Sequence, residues 1–189
     1  MGSSDLGMVV MGLALARPAN ADNDSAVQNR VSRAVAAYPA DPAQARRELQ
    51  DIGGAAVPYL VRTLWCGDDT ASPRRRFLLG VIAGIDGPGA QLGLVRLLFH
   101  WDPNVRGESA AILGKRRARD ALPVLLSALD DEAVYLTRVS TDPHTEEAIL
   151  VRDKVVEALE EITGTVLARG QSSRDKVSAW KAWRDERLR

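Results

Sequence analysis

Apolar residues recur at helical spacing along most of the chain. After Asp24 they stand at i, i+4, i+7, i+8 and i+11, on one face of a helix: Val27, Val31, Ala34, Val35 and Tyr38. Pro39 ends this helix, and a second is predicted from Pro42, capped by Asp41, to Ile52. A third has its apolar face at Val57, Leu60, Val61, Leu64 and Trp65. The start of the chain is therefore predicted to form a leading helix and then a helix pair.

The same helix pair recurs further along the chain. Ala56, Ala90 and Ala121 open similar apolar second helices and are 34 and then 31 residues apart. A helix–helix unit of roughly thirty residues is typical of α-solenoids, in which each unit covers the apolar face of its neighbour. The repeat predicts an all-α stack.

Particular residues in these units carry a family resemblance. Asp102-Pro-Asn-Val-Arg106, with Ala110–Gly114 and Ala121–Leu126 after it, resembles a HEAT repeat of the short bacterial kind, also seen in phycobilisome-lyase-type proteins. Arg46–Leu64 and Val151–Gly164 look like further units. The resemblance implies a right-handed α-α superhelix, a HEAT-like solenoid of about four helix pairs.

The predicted organisation is a repeat domain over residues 25–189, preceded by a separate segment, 1–24. The units are about 25–67, 72–101, 102–131 and 145–188, with an insertion at about 131–147. The β-branched and aromatic run Val134–Val139 fits a hairpin. A loop leading into a long helix, Glu146–Ile162, is the alternative, and we favour the loop.

The N-terminal segment resembles a secretory signal peptide. Met8–Ala16 is a nine-residue apolar run, too short to span a bilayer, and Ala19-Asn20-Ala21 has the form of a signal-peptidase site. We therefore expect export to the periplasm or outside the cell. Met1–Leu6 contains no Lys or Arg, so a flexible N-terminus on a cytoplasmic protein is the alternative.

Composition limits the kinds of functional site that the chain can form. One cysteine and two histidines among 189 residues exclude a disulfide framework and a cysteine-rich metal site. No catalytic sequence motif is present, so we expect no enzymatic activity and no catalytic, metal or cofactor residues. Cys66, His100 and Asp131 stand at equivalent places in successive units, but neighbouring helices lie about 8–10 Å apart. That distance argues against a catalytic row.

A binding surface is predicted on the second helices, because the family resemblance implies that these line a concave groove. Arg62 and Arg96 stand at equivalent places opposite the apolar stripe, with Trp65 and Trp101 at the edge. Guanidinium groups bind carboxylates in a bidentate manner, so we expect an acidic protein partner. Two solvated arginines without a ligand are the alternative. Phe99 is assigned to the core, and so is Leu125.

The favoured function is a non-enzymatic protein–protein interaction scaffold. A phycobilin-lyase-like cofactor-handling protein is the alternative that the resemblance implies, and a nucleic-acid-binding HEAT-like protein is a less favoured one. Lys+Arg and Asp+Glu both number 25, so the formal net charge is zero, and nucleic-acid binders normally carry a basic surplus. The basic runs Arg74–Arg76 and Lys115–Arg119 fall on opposite edges of the predicted stack.

Overall fold

The computed structural model describes residues 21–67, 73–139 and 146–187, and this part of the chain is mostly helical, as predicted. Short 3₁₀ turns at Gly53–Ala56, Arg119–Ala121 and Ala128–Asp130 flank the second helices. The α-helices are α1 (Ala21–Ala37), α2 (Pro42–Ile52), α3 (Val57–Cys66), α4 (Pro73–Gly84), α5 (Pro88–Leu97), α6 (Pro103–Lys115), α7 (Leu122–Ser127), α8 (Val151–Thr163) and α9 (Ser173–Arg187).

Capping residues set several helix ends, and Asp41 does so where the sequence predicts it. The Asp41 carboxylate accepts the backbone N–H of Gln44 at 2.9 Å at the start of α2, and α2 ends at Gly53 with a φ of +66°. At the start of α9, the Ser172 hydroxyl accepts the backbone N–H of Asp175 at 3.3 Å, while the Asp175 carboxylate accepts the Ser172 N–H at 3.3 Å. These reciprocal bonds form a capping box.

The helices share one core that runs from Val31 in α1 to Trp180 in α9. First helices of successive pairs pack on each other, α2 on α4, α4 on α6 and α6 on α8, and second helices pack as α3 on α5. Leu125 is fully buried, which confirms its assignment to the core. Trp180 is also fully buried, with the Trp183 ring 5.2 Å away, and α9 packs on α7 and α8 as a closing helix.

The insertion forms a β-hairpin, so the loop that we favoured is wrong. Strand β1 (Val134–Val139) pairs antiparallel with β2 (Glu146–Leu150), with a register irregularity between Val134 and Leu136. The long helix expected from Glu146 is wrong for the same reason, because Glu146–Leu150 is extended and α8 begins only at Val151. The backbone N–H of Leu150 donates to the Asp153 carboxylate at 2.8 Å and fixes that start.

Tyr135, at the irregularity in β1, joins the hairpin to α6. Its hydroxyl donates to Glu108 Oε1 at 2.9 Å, and its ring lies on Gly107, where an added Cβ would come within 2.8 Å of Cε2. Burial, and then the hydrogen bond to the Glu108 carboxylate, raises the pKa of Tyr135 to about 12. The hairpin is thus anchored on a first helix of the stack.

Residues 1–20 of the predicted N-terminal segment, 1–24, lie outside the described residues. In the described part of the chain, no helix combines the length and apolar character that crossing a membrane requires.

Candidate binding surface on the second helices

Helices α3 and α5, the second helices of two successive units, lie in close contact. A Cβ added at Gly93 in α5 would stand 2.6 Å from Val57 Cγ1 and 3.2 Å from Val61 Cγ2, both in α3. Only glycine allows this approach. Gly93, a costly mid-helix residue on propensity alone, therefore brings the exposed sides of α3 and α5 next to each other.

Those exposed sides carry large aromatic side chains. Trp65 at the end of α3 is 40% exposed, Phe99 just after α5 is 64% exposed, and Trp101 in the following turn is 51% exposed. The assignment of Phe99 to the core is therefore wrong. Its place is equivalent to that of Trp65, and the same alignment could have predicted its exposure. Exposed aromatic residues that stand close together are typical of binding surfaces.

Arg62 on α3 and Arg96 on α5 are both exposed, as expected. Within the described residues, neither guanidinium group makes a hydrogen bond or an ion pair. We call Arg62, Arg96, Trp65, Phe99 and Trp101 the second-helix face. Leu92, 53% exposed and one helical turn before Arg96, extends it, and the sequence reasoning missed this residue.

One side of Trp101 borders a cleft of about 470 Å³, here called the cationic cleft. Its walls come from α1, α3, the start of α4 and the turn at 100–102. Arg62 lines it, together with the polar side chains of Gln28, Ser32 and Tyr59. A hydrogen bond from the Tyr59 hydroxyl to the Asp24 carboxylate joins α1 to α3, and this bond, more than burial, raises the pKa of Tyr59.

The other side of Trp101 borders a second cleft of about 470 Å³, here called the apolar cleft. It lies between the end of α5 and α7. Leu98, Phe99, Val124 and Ala128 contribute apolar side chains to its lining, which also includes the charged groups of Arg106, Asp130 and Asp131. Of the four predicted site residues, Arg62 and Trp101 line a cleft, whereas Trp65 and Arg96 line neither and lie on the surface outside them.

His100 fixes the position of the two tryptophans. Its ring lies 4.9 Å from that of Trp65 and 5.1 Å from that of Trp101, centroid to centroid. The backbone N–H of Asp102 donates to Nδ1 at 3.0 Å, so Nε2 carries the hydrogen and donates to the Leu64 carbonyl at 3.1 Å. The buried imidazole is thus a structural link between consecutive helix pairs.

Two ion pairs hold the turn that carries Trp101. Arg75 in α4 pairs with the buried Asp102, which also caps α6 by accepting the Asn104 N–H. The Arg106 guanidinium donates two hydrogen bonds to the Asp131 carboxylate, at 2.6 and 3.0 Å. It also donates to the backbone carbonyls of His100 at 2.7 Å and Trp101 at 3.0 Å. Asp102 and Arg106 therefore stabilise the turn between α5 and α6.

The pKa of Asp102 lies below its ordinary value. Burial by itself raises this pKa, but the backbone N–H of Asn104 and the guanidinium of Arg75 both stabilise the carboxylate, and together they outweigh burial. Asp102 is therefore a carboxylate whose charge the fold requires.

The contacts also explain the row of Cys66, His100 and Asp131. His100 uses both ring nitrogens on backbone groups, and Asp131 accepts two bonds from Arg106. Both groups are thus occupied by contacts that hold the fold. No cluster of three or more potential metal-ligating side chains is found in residues 21–67, 73–139 and 146–187.

Comparison of the chain with protein-family models, with curated proteins and with solved structures finds no match.

Proposed function

We propose that this protein is a non-enzymatic interaction scaffold, a right-handed HEAT-like solenoid of about four helix pairs that binds an acidic protein partner on the second-helix face. One observation carries the proposal. Two exposed arginines, each without an ion pair among the described residues, stand beside three exposed aromatic side chains.

The contacts between successive units support the solenoid. First helices contact first helices from α2 to α8. Arg75 of one unit also pairs with Asp102 at the start of the next, and Arg106 of that unit pairs with Asp131 at its end. Contacts between equivalent helices of successive units are what a stacked repeat requires, because each unit is stabilised by its neighbours.

The chemistry of the face favours a partner with both carboxylate and apolar groups. Tryptophan and arginine are the residue types most enriched among those that dominate binding energy. Covering exposed indole and phenyl rings removes apolar surface from water, and an arginine without a partner can bind a carboxylate bidentately. The partner is thus expected to be an acidic segment with apolar side chains.

The test is selection of peptides from a displayed random library on the immobilised protein, followed by measurement of Kd for the enriched peptides. The double variant Arg62→Gln/Arg96→Gln should weaken binding by about 2 kcal/mol or more, about thirtyfold. The melting temperature should not change, because both side chains are exposed. A matched control is Arg47→Gln/Arg174→Gln, two exposed arginines on α2 and α9.

Unchanged affinity in the double variant would refute the proposed surface. A lowered melting temperature would show instead that Arg62 and Arg96 stabilise the fold, and the proposal would then lose its main support. Enriched peptides without acidic residues would contradict the expected partner chemistry.

A further inference from the structure

Trp101 lines both the cationic cleft and the apolar cleft, which differ in the charged groups that they offer. Its side chain is a wall of both, and the buried His100 lies beneath it as part of both linings. We propose, building on the proposed function, that the partner segment is bipartite. An apolar side chain of the partner enters the apolar cleft, its chain crosses Trp101, and its carboxylate groups bind in the cationic cleft.

The apolar cleft is suited to an uncharged anchor, because its charged groups are already paired. In its lining, the Asp131 carboxylate accepts two hydrogen bonds from Arg106, and Asp130 forms an ion pair with Lys181 of α9. A partner carboxylate placed there would gain little and would meet two aspartates. The exposed Phe99 and Trp101 rings instead offer apolar area to a phenylalanine or leucine side chain.

The cationic cleft has the complementary character. The charge of Arg75 is balanced by Asp102, whereas Arg62 has no ion-pair partner among the described residues. Gln28 and Ser32, both exposed on α1, add neutral hydrogen-bond donors beside it. A carboxylate is therefore favoured on this side of Trp101.

The crossing point is held in place before any partner arrives. Arg106 binds the carbonyls of both His100 and Trp101, and the Trp101 ring stacks on a histidine that is fixed at both nitrogens. Little ordering is then needed on binding, which favours affinity. We estimate one to two helix spacings of ~8–10 Å between Arg62 on α3 and the apolar side chains at α5 and α7, and an extended residue advances ~3.3 Å. The anchor and the carboxylates should thus be about three to six residues apart.

The test uses fluorescein-labelled synthetic peptides that contain one Phe and a Glu-Glu-Glu run, separated by Gly-Ser spacers of increasing length. Binding is read by fluorescence anisotropy. Matched peptides replace Phe by Ala, or the three Glu by Gln. The protein variants are Phe99→Ala in the apolar cleft and Arg62→Gln in the cationic cleft. The controls are Val166→Ala and Arg174→Gln, two exposed residues outside both clefts and outside the second-helix face.

The expected result is a double-mutant cycle with a specific pattern. Each change in the peptide should weaken binding about tenfold on the wild-type protein. The affinity loss caused by Phe→Ala in the peptide should disappear when the protein carries Phe99→Ala and persist when it carries Arg62→Gln. The affinity loss caused by Glu→Gln in the peptide should disappear in the Arg62→Gln protein and persist in the Phe99→Ala protein. Binding should be tightest for spacers of about three to six residues.

Three results would overturn the bipartite site. They are disappearance of both affinity losses in the same protein variant, an affinity that does not depend on spacer length, and no binding of any peptide in the series. Binding of the protein to phosphatidylserine vesicles that the peptides do not displace would also overturn it, because the surface would then bind membranes. In the first three cases the proposed function still stands if library-selected peptides depend on Arg62 and Arg96. The two hypotheses therefore fail separately.

Discussion

At the scale of single residues, Asp102 joins three parts of the molecule. Its carboxylate pairs with Arg75 of α4 and caps α6, and its backbone N–H donates to His100, which in turn donates to the end of α3. The side chain is almost fully buried. A buried carboxylate that is both paired and hydrogen-bonded is costly to disrupt, because the remaining guanidinium is left without compensation.

We predict that Asp102→Asn lowers the free energy of unfolding by about 3 kcal/mol, the low end for a broken buried ion pair, because asparagine still caps the helix. Asp86→Asn is the control. Asp86 is fully exposed and 3.9 Å from Arg116, and its loss should cost less than about 0.5 kcal/mol. Urea unfolding at neutral pH measures both.

The pH dependence gives a second readout of the same prediction. A lowered carboxyl pKa stabilises the fold above the unfolded value of about 3.9, and that contribution is lost as the pH falls through the folded pKa. The difference in the free energy of unfolding between wild type and Asp102→Asn should therefore reach its maximum at neutral pH and decrease below about pH 4. A difference that does not change with pH would show that the charge of Asp102 is not what stabilises the turn.

At the scale of elements, glycines in helices mark where helices and hairpin approach most closely. Gly93 allows α3 to meet α5, Gly114 allows α6 to meet α8, and Gly107 receives the ring of Tyr135. On helix propensity each of them costs about 1 kcal/mol relative to alanine. The packing that they allow must outweigh this cost, and that packing cannot be read from local sequence.

We predict opposite signs for two helical Gly→Ala substitutions. Gly107→Ala would overlap the Tyr135 ring and should lower the free energy of unfolding by about 1–3 kcal/mol, as overpacking does. Gly89→Ala in α5 meets open space and should raise stability by about 0.5–1 kcal/mol. Thermal unfolding decides the signs. Stabilisation by Gly107→Ala would mean that the hairpin does not rest on α6.

The sequence predicted those elements whose signals are local. The cap Asp41, Pro42 at the first helical position and the helical spacing predicted the bounds of α2. The sequence leaves a hairpin and a loop both open for the insertion, because the residue that anchors the hairpin has a distant partner. Tyr135 bonds to Glu108, 27 residues away. Of the candidate site, the exposure of Arg62 and Arg96 followed from helical period, whereas the two clefts depend on how α1, α5 and α7 meet.

At the scale of the whole molecule, stability and binding use opposite sides of the same helices. The buried side of each second helix belongs to a core that continues from α1 to α9, and the opposite side carries the second-helix face. Because the core is continuous, a defect in one unit removes support from its neighbours. A scaffold of this kind should respond to a core change as one cooperative body.

We therefore predict that Leu125→Ala costs about 2–5 kcal/mol and leaves a single unfolding transition. Leu125 in α7 is fully buried, so its truncation leaves a cavity between units. Leu92→Ala is the matched control on another second helix, because Leu92 is 53% exposed and its loss should cost less than about 0.5 kcal/mol. In hydrogen exchange, Leu125→Ala should lower protection in α2 and α3 as well as in α7 and α8. A second transition, or full protection of α2 and α3, would mean that the units unfold independently and that the core does not couple them.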